Sequence, residues 1–304
     1  MSASPVSPTQ PQAQPLDQHT RPSVLNRQSV RHGVGLLLTH LALIFISITA
    51  LIPLAFMFST ALKPFGQEFV FPINWIPQPA VWSNFIDAWN TVPTATFLQN
   101  TAIVTLGALI GELVSSSLVA YGFARLRFPG RDVLFMVCVS SMMLPYVVLI
   151  IPLFIMFRTV HWIDTFWPLI VPGWFGVPFY IFMLRQYFLS LPHELDDAAK
   201  IDGAGILRVW WSILLPLIKP ALAAVGIFSF IGHWNDFLAP LIFLNSEDKY
   251  TVALGVNLFF GAYQVHMDLV MAYSVMVTLP VVLVFFVFQR YFVQGIALTG
   301  LTGR

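Results

Sequence analysis

Charged side chains are concentrated in one stretch of this chain, residues 190–220, between two strongly apolar blocks. Ala-Ala, Gly and Pro lie among them. The charged side chains can form ionic contacts with another surface, and the small residues allow that surface to approach closely. Polar side chains of this kind are mostly exposed in proteins. We therefore interpret the stretch as a loop that lies outside the apolar part of the protein and contacts a partner there. Its charged residues are Glu194, Asp196, Asp197, Lys200, Asp202, Arg208 and Lys219.

Two other ionisable residues, Glu112 and Asp236, lie within long apolar runs. A charged group is costly in lipid and usually faces the interior of a helix bundle or a cavity. One interpretation is that these carboxylates line a solute pathway or a gate. The other is a hydrogen bond between packed helices, which explains Asp236 beside Asn235 at least as well. Under either interpretation, neither carboxylate faces lipid.

Sequence motifs for catalysis are absent. The chain contains no GxxxxGK[ST] phosphate loop and no HExxH, CxxC or GxSxG pattern. Its seven His residues are scattered, and the single Cys138 excludes an internal disulfide. We therefore predict no catalytic residue, no metal site, no nucleic-acid partner and no cofactor bound by this chain.

The composition places these residues in a membrane. The chain is 57% hydrophobic and 10% charged, with a mean hydropathy of +0.78, whereas a soluble domain carries about 25% charged residues. A helix needs about 20 apolar residues to cross a bilayer. Six segments qualify, which predicts an all-α membrane protein in contact with lipid. They are residues 34–62, 96–124, 133–157, 165–189, 217–244 and 269–289.

The remaining segments complete the predicted organisation. Residues 1–33, rich in Pro, Gln and Ser, are predicted to be a disordered tail. The membrane domain covers 34–290, and 291–304 form a second tail. Span four contains several Pro and Gly residues, so we expect it to be bent and buried in the bundle.

The basic residues predict the orientation. If both termini are cytoplasmic, twelve of the 15 Lys and Arg residues fall in inner segments and only Lys63, Arg158 and Lys249 fall in outer ones. This is a clear positive-inside bias. The loop 190–216 is therefore predicted to be cytoplasmic.

Helix signals divide this loop into two parts. Ser190 can cap a helix over 192–202, and Gly203 can end it in a left-handed turn. A second helix is predicted to begin near Ile206. The alternative is an amphipathic loop that lies on the membrane without a partner. One face of the first helix is predicted to carry Leu195, Ala198, Ala199 and Asp202.

The spacing within the loop favours a partner. Asp197-Ala198-Ala199, Gly203 after three residues and Ile213-x-Leu215-Pro216 after nine more resemble the EAA loop of ATP-binding-cassette (ABC) importer permeases. Asp197 replaces the usual Glu, which keeps the charge and shortens the reach. Trp234–Phe237 and Gln289–Phe292 also resemble carbohydrate permeases, in particular the smaller subunit of maltose-type systems.

This resemblance implies a type I ABC importer permease with six spans and a cytoplasmic coupling loop, in the bacterial or archaeal inner membrane. It implies three kinds of protein partner: a second homologous permease, a dimeric cytoplasmic ATPase that uses ATP and Mg²⁺, and an extracytoplasmic solute-binding protein. The coupling residues implied are Asp197, Ala198, Ala199, Gly203, Ile213, Leu215 and Pro216.

For a sugar-like solute, aromatic side chains of span four, Trp174 among them, could stack on sugar rings, although packing is the commoner role of such residues. The pathway candidates are Glu112, Trp174, Asn235 and Asp236. One rival is an ion-coupled secondary transporter, which predicts several intramembrane carboxylates and inverted repeats. Another is a membrane scaffold or a polytopic enzyme.

Overall fold

The computed structural model describes the backbone of residues 25–260 and 266–300, and the side chains of 35–260 and 266–290. Its contacts divide the chain into two units, Met1–Leu54 and Ala55–Arg304. The described part of the first unit is helical and apolar, and its side chains are exposed. Helix α1 begins at Leu25, inside the segment predicted as a disordered tail. Residues 1–24 and 301–304 of the two predicted tails lie outside the described residues.

The described residues form helices and no strands, which confirms the all-α class. The α-helices are α1 Leu25–Ala61, α2 Ser83–Thr91, α3 Thr94–Arg125, α4 Arg131–Ser140, α5 Tyr146–Thr159, α6 Trp167–Ile170, α7 Pro178–Ser190, α8 Glu194–Ile201, α9 Ile206–Arg208, α10 Leu215–Leu217, α11 Lys219–Trp234, α12 Leu238–Phe243, α13 Val252–Gly255 and α14 Met267–Gly300. Short 3₁₀ segments join several of them, and a π-helical segment, Val209–Leu214, joins α9 to α10.

Four helices among the described residues are long and apolar enough to cross a membrane, and six spans result if each of two bent pairs counts as one. The predicted span 133–157 is one such pair, whose two helices meet at 100° beside Pro145. The predicted span 217–244 is likewise not a single straight helix. Its main helix α11 makes an 83° bend with the segment 206–217 and stops at Trp234, and α12 follows after a short break.

Helix α3 lies at the centre of the second unit and packs against α6, α7 and α11. Small residues make this possible, because they let helix backbones approach closely in lipid. Two rows on α3, with members four residues apart, face span four. One row consists of Gly107, Gly111 and Ser115, and the other consists of Ala108, Glu112 and Ser116.

A polar junction stabilises the end of the bundle where α3 begins. The carboxylate of Asp164 accepts hydrogen bonds from the backbone N–H groups of Asn245 and Ser246, from the Ser246 hydroxyl, and from Lys249 Nζ at 2.9 Å. Partial burial pushes the pKa of Asp164 up, but these hydrogen bonds outweigh burial and hold it well below its usual range. The charged form of Asp164 therefore stabilises the fold.

We expect the Asp164→Asn variant to melt at a lower temperature than the wild type at neutral pH. Because the folded pKa of Asp164 lies below its unfolded value of about 3.9, the stabilisation is complete above that pH and is lost as the pH falls further. The difference in melting temperature in detergent should therefore shrink below about pH 4. A difference that stays constant down to acidic pH would contradict this assignment.

Candidate functional site

The loop after span four forms two short helices that meet at a tight turn. Helix α8 ends at Ile201, and Gly203 has a left-handed backbone with φ of +75°. The N–H of Gly203 donates to the carbonyl of Lys200, and the N–H of Ala204 donates to that of Ala199. These two bonds form a Schellman motif, in which Gly tolerates the positive φ. The predicted helix stop at Gly203 and the second start at Ile206 are confirmed.

The predicted cap at Ser190 is wrong. Its hydroxyl donates back to the carbonyl of Tyr187, within the end of α7. Helix α8 begins only at Glu194, after His193, and no side chain caps it. A hydroxyl near a helix end can bond either to the preceding turn or to the next helix. Here the preceding turn is the partner, so α8 is shorter than the predicted 192–202.

Burial separates the residues that were predicted to share one face. Of the predicted face, Ala199 is 4% exposed and Leu195 is half-buried, whereas Ala198 and Asp202 are exposed. Asp196, which is 6% exposed, lies on the inner side with Ala199, and Asp197 is exposed with Ala198. The inner side of α8 packs on a cluster that includes Leu184 from α7. The exposed stripe follows helical spacing. It consists of Glu194, Asp197, Ala198 and Ile201.

The second part of the loop extends this exposed surface with apolar side chains. Ile206, Leu207 and Trp211 are 56%, 65% and 61% exposed. The motif residues Ile213 and Leu215 are half-buried against the same cluster as α8, and Pro216 is exposed. We call the exposed stripe of α8 together with Ile206, Leu207 and Trp211 the docking surface.

The charges on the docking surface are only weakly paired within the chain. Lys200 Nζ lies 3.4 Å from Asp197 Oδ1, and about 70% of each side chain is exposed, at 69% and 71%. Exposed pairs of this kind contribute about 0–1 kcal/mol. Asp197 can therefore exchange this contact for one with another protein.

A second polar group lies deep between the spans. Glu112 on α3 is 5% exposed, and its Oε1 lies 2.9 Å from His233 Nε2 on α11. The Ser115 hydroxyl donates to the carbonyl of Gly173, and the Ser116 hydroxyl accepts from the N–H of Val177. These bonds satisfy backbone groups where span four leaves regular helix geometry. Span four is interrupted there by a 3₁₀ segment, Val171–Phe175, and by Gly176 with φ of +89°; the predicted bend itself stays a prediction.

Trp174 lies across α3 at the same break. Its Nε1 donates to the carbonyl of Gly107 at 3.1 Å, and its ring is 49% exposed. A Cβ at Gly111 would lie 2.4 Å from Trp174 Cδ1, so this close approach requires glycine. Trp174 is thus held against α3 and stays half-exposed in this chain.

Asn235 and Asp236 lie at the break between α11 and α12. The Asn235 amide donates to the carbonyl of Ile231, and Asp236 Oδ1 accepts from the N–H of Ala239 at the start of α12. Their hydrogen bonds are therefore local, and they form none with Glu112. The hydrogen bond of Asp236 thus lies within its own span and is not the predicted bond between packed helices, whereas Glu112 makes such a bond with His233.

Sequence reasoning missed Arg125 and His233 as members of these sites. Arg125, at the end of α3, forms a buried ion pair with Asp196 at 3.1 Å. His233 completes the pair with Glu112. Each partner lies far away along the chain, so no local spacing signals the contact. The only signals were a basic residue at a span end for Arg125 and a His near an Asn-Asp break for His233.

The described residues form a helical bundle with broken spans and a two-helix loop, an arrangement compatible with a membrane permease. Residues 113–298 match the family of binding-protein-dependent transport system inner membrane components. The chain belongs to this family.

Curated relatives cover most of the chain. The arabinooligosaccharides transport system permease protein AraQ of Halalkalibacterium halodurans is 33% identical, over 85% of this chain and 94% of the relative. The diacetylchitobiose uptake system permease protein NgcG of Streptomyces coelicolor is 32% identical, over 83% and 84%. The sn-glycerol-3-phosphate transport system permease protein UgpE of Yersinia pestis is 32% identical, over 84% and 94%.

A solved structure shows the same fold. A chain in the crystal structure of a bacterial ABC transporter involved in the import of the acidic polysaccharide alginate aligns with a TM-score of 0.74 and 23% identity. The alignment covers 90% of this chain and 100% of that chain. The six-span prediction therefore corresponds to the permease fold of an ABC importer.

Proposed function

We propose that this chain is the membrane-spanning permease subunit of an ABC importer that moves a sugar or a sugar-like solute into the cell. The relatives named above transport an arabinooligosaccharide, a chitobiose derivative and a glycerol phosphate, which share a hydroxyl-rich carbon skeleton. The observation that carries the proposal is the docking surface, which presents charged, small and apolar side chains on a loop anchored to the bundle.

The docking surface is proposed to receive a cytoplasmic ATPase dimer. The sequence has no phosphate-binding loop, so ATP and Mg²⁺ are used by the partner. Asp197 supplies a charged contact, Ala198 permits close approach, and Ile201 supplies apolar area. The half-buried Ile213 and Leu215 hold the loop to the bundle rather than contact the partner, and Gly203 sets the angle between the two helices.

The solute pathway is proposed to pass the breaks in spans four and five. Interrupted helices at mid-depth are typical of transporter binding sites, since irregular backbone is tolerated there only beside protein or a water-lined cavity. Glu112 with His233 supplies hydrogen-bonding groups at this depth, and the half-exposed Trp174 supplies a ring face. Asn235 and Asp236 lie at the second break.

The other partners follow from the surface and the charge pattern. Helices α4 and α5 have mostly exposed apolar side chains, which suit lipid and a second homologous permease.

We place both termini in the cytoplasm, with short tails beyond residues 34–290, on the distribution of Lys and Arg. An extracytoplasmic solute-binding protein would meet loops 63–95 and 245–268. Among the described residues no His, Cys, Asp and Glu group could hold a metal ion.

Co-purification and uptake test the function. The chain, expressed together with its proposed partner permease, ATPase and binding protein, should retain the ATPase through purification and should import solute into vesicles only when ATP is hydrolysed. Ile201→Glu should release the ATPase, because it adds a third negative charge, beside Glu194 and Asp197, where apolar area is needed. Ile201→Leu is the matched control and should retain it. Uptake that is driven by an ion gradient without ATP would support the secondary transporter instead.

A further inference from the structure

We propose that Arg125 is the positioning residue that makes the coupling helix α8 move as one body with α3. This inference rests on the proposed function and extends it to the route by which force enters the bundle. Arg125 is the last residue of α3, and its side chain is 1% exposed. Among the ion pairs of the described residues, the one between Arg125 and Asp196 is the only pair that joins α3 to α8.

The guanidinium contacts the loop at three points. One terminal nitrogen lies 3.1 Å from Asp196 Oδ2 and 2.8 Å from His193 Nδ1, and the other donates to the carbonyl of Leu191 at 2.8 Å. Arginine is suited to this task because its planar fork presents several donors in fixed directions. The three contacts fix both the linker after α7 and the start of α8.

The direction of the contact with His193 follows from the chemistry of arginine. Arg125 can only donate, so Nδ1 of His193 accepts in this contact.

Burial makes this ion pair different from the others near the loop. The Asp196 side chain is 9% exposed, and neither its Oδ2 nor Arg125 Nε makes a hydrogen bond with the described residues. Removal of one partner would leave the other charge buried without compensation. The pair Asp197–Lys200 is exposed, and in the pair Arg131–Asp132 the side chains are 30% and 76% exposed, so both pairs can separate in solvent at little cost. Of these three pairs, the Arg125 pair is the one that resists separation when α8 is displaced.

Helix α3 connects the Arg125 contact to the interior of the bundle. The same helix binds the broken part of span four through Ser115 and Ser116, and it binds α11 through Glu112. A displacement of α8 by a docked ATPase would therefore reach α3 through Arg125 and then the two interrupted spans. Contiguous packed and hydrogen-bonded elements are the physical means by which distant sites are coupled.

The test measures solute imported per ATP hydrolysed by the complete transporter in proteoliposomes. This ratio does not depend on how much protein folds, so a purely structural defect leaves it unchanged. We expect Arg125→Met and Asp196→Asn to retain the ATPase, since the docking surface is intact, and to lower the ratio at least about fivefold. Arg131→Met is the control, because its ion pair is partly exposed, and it should keep the wild-type ratio.

A double variant, Arg125→Met with Asp196→Leu, keeps the test decisive if a single variant does not accumulate. It removes both charges, so no buried charge is left unpaired, and accumulation should recover while the ratio stays low. A double variant or a single variant that imports with the wild-type ratio would overturn the proposal. If instead the wild-type complex shows no ATP-dependent import, the proposed function fails, which is a different result.

Discussion

Replacement of Gly203 with valine should uncouple ATP hydrolysis from solute import while the chain still accumulates in the membrane. Gly203 has φ of +75°, and no atom lies within 4 Å of the position that a Cβ would take. The penalty is therefore conformational, about 1–2 kcal/mol for an L-residue in the left-handed region, and more for a β-branched one. Relief of this strain changes the turn, which moves α8 relative to Ile206 and the rest of the docking surface.

Gly205 provides a matched control for this experiment. It lies in the same turn, it also has no atom within 4 Å of a Cβ, and its φ of −71° and ψ of 163° suit valine. Gly205→Val should import with the wild-type ratio of solute to ATP. Equal ratios for the Gly203 and Gly205 variants, at equal protein levels, would contradict a role for the turn geometry.

Replacement of Glu112 with leucine should lower import at least about tenfold, which corresponds to about 1.4 kcal/mol in the rate-limiting barrier. Glu112 pairs with His233 between α3 and α11, and its methylene group lies against Gly173 at the break of span four. Leucine removes the acceptor for His233 and presents a branched side chain to a position with little free space. Initial uptake rates and melting temperature in detergent measure the two effects.

Two further variants separate pathway from packing at Glu112. Glu112→Gln keeps the shape and an acceptor oxygen, so it should retain most of the import. Glu112→Leu combined with His233→Leu leaves no unpaired partner, so stability should recover. Import that recovers together with stability in the double variant would show that the pair serves packing alone.

The sequence was sufficient for features that depend on local composition. Apolar length located the ends of α3 within two residues, since 96–124 was predicted and Thr94–Arg125 is observed. Gly203 was recognised because a left-handed turn after a helix is a local requirement. Pro and Gly act on their own backbone, and the regular helix of span four is interrupted where they lie.

Features that depend on contacts between distant residues were not predictable. Arg125 and Asp196 face each other only because α3 and α8 meet in space, and periodicity describes each helix separately. The choice between inner and outer positions for Ala198 and Ala199 likewise depends on where α7 lies. The cap at Ser190 failed for the same reason, since two local hydrogen bonds compete and tertiary context selects one.

The buried ion pair between α3 and α8 has a consequence for the exchange of parts between related permeases. A coupling helix grafted from another permease brings its own residue at the position of Asp196, but it meets the host's Arg125. If the graft carries an apolar residue there, the host arginine is left as an isolated buried charge. A functional chimera therefore needs a graft of two segments, the loop and the end of the second span, although more than sixty residues separate His193 from Arg125 along the chain.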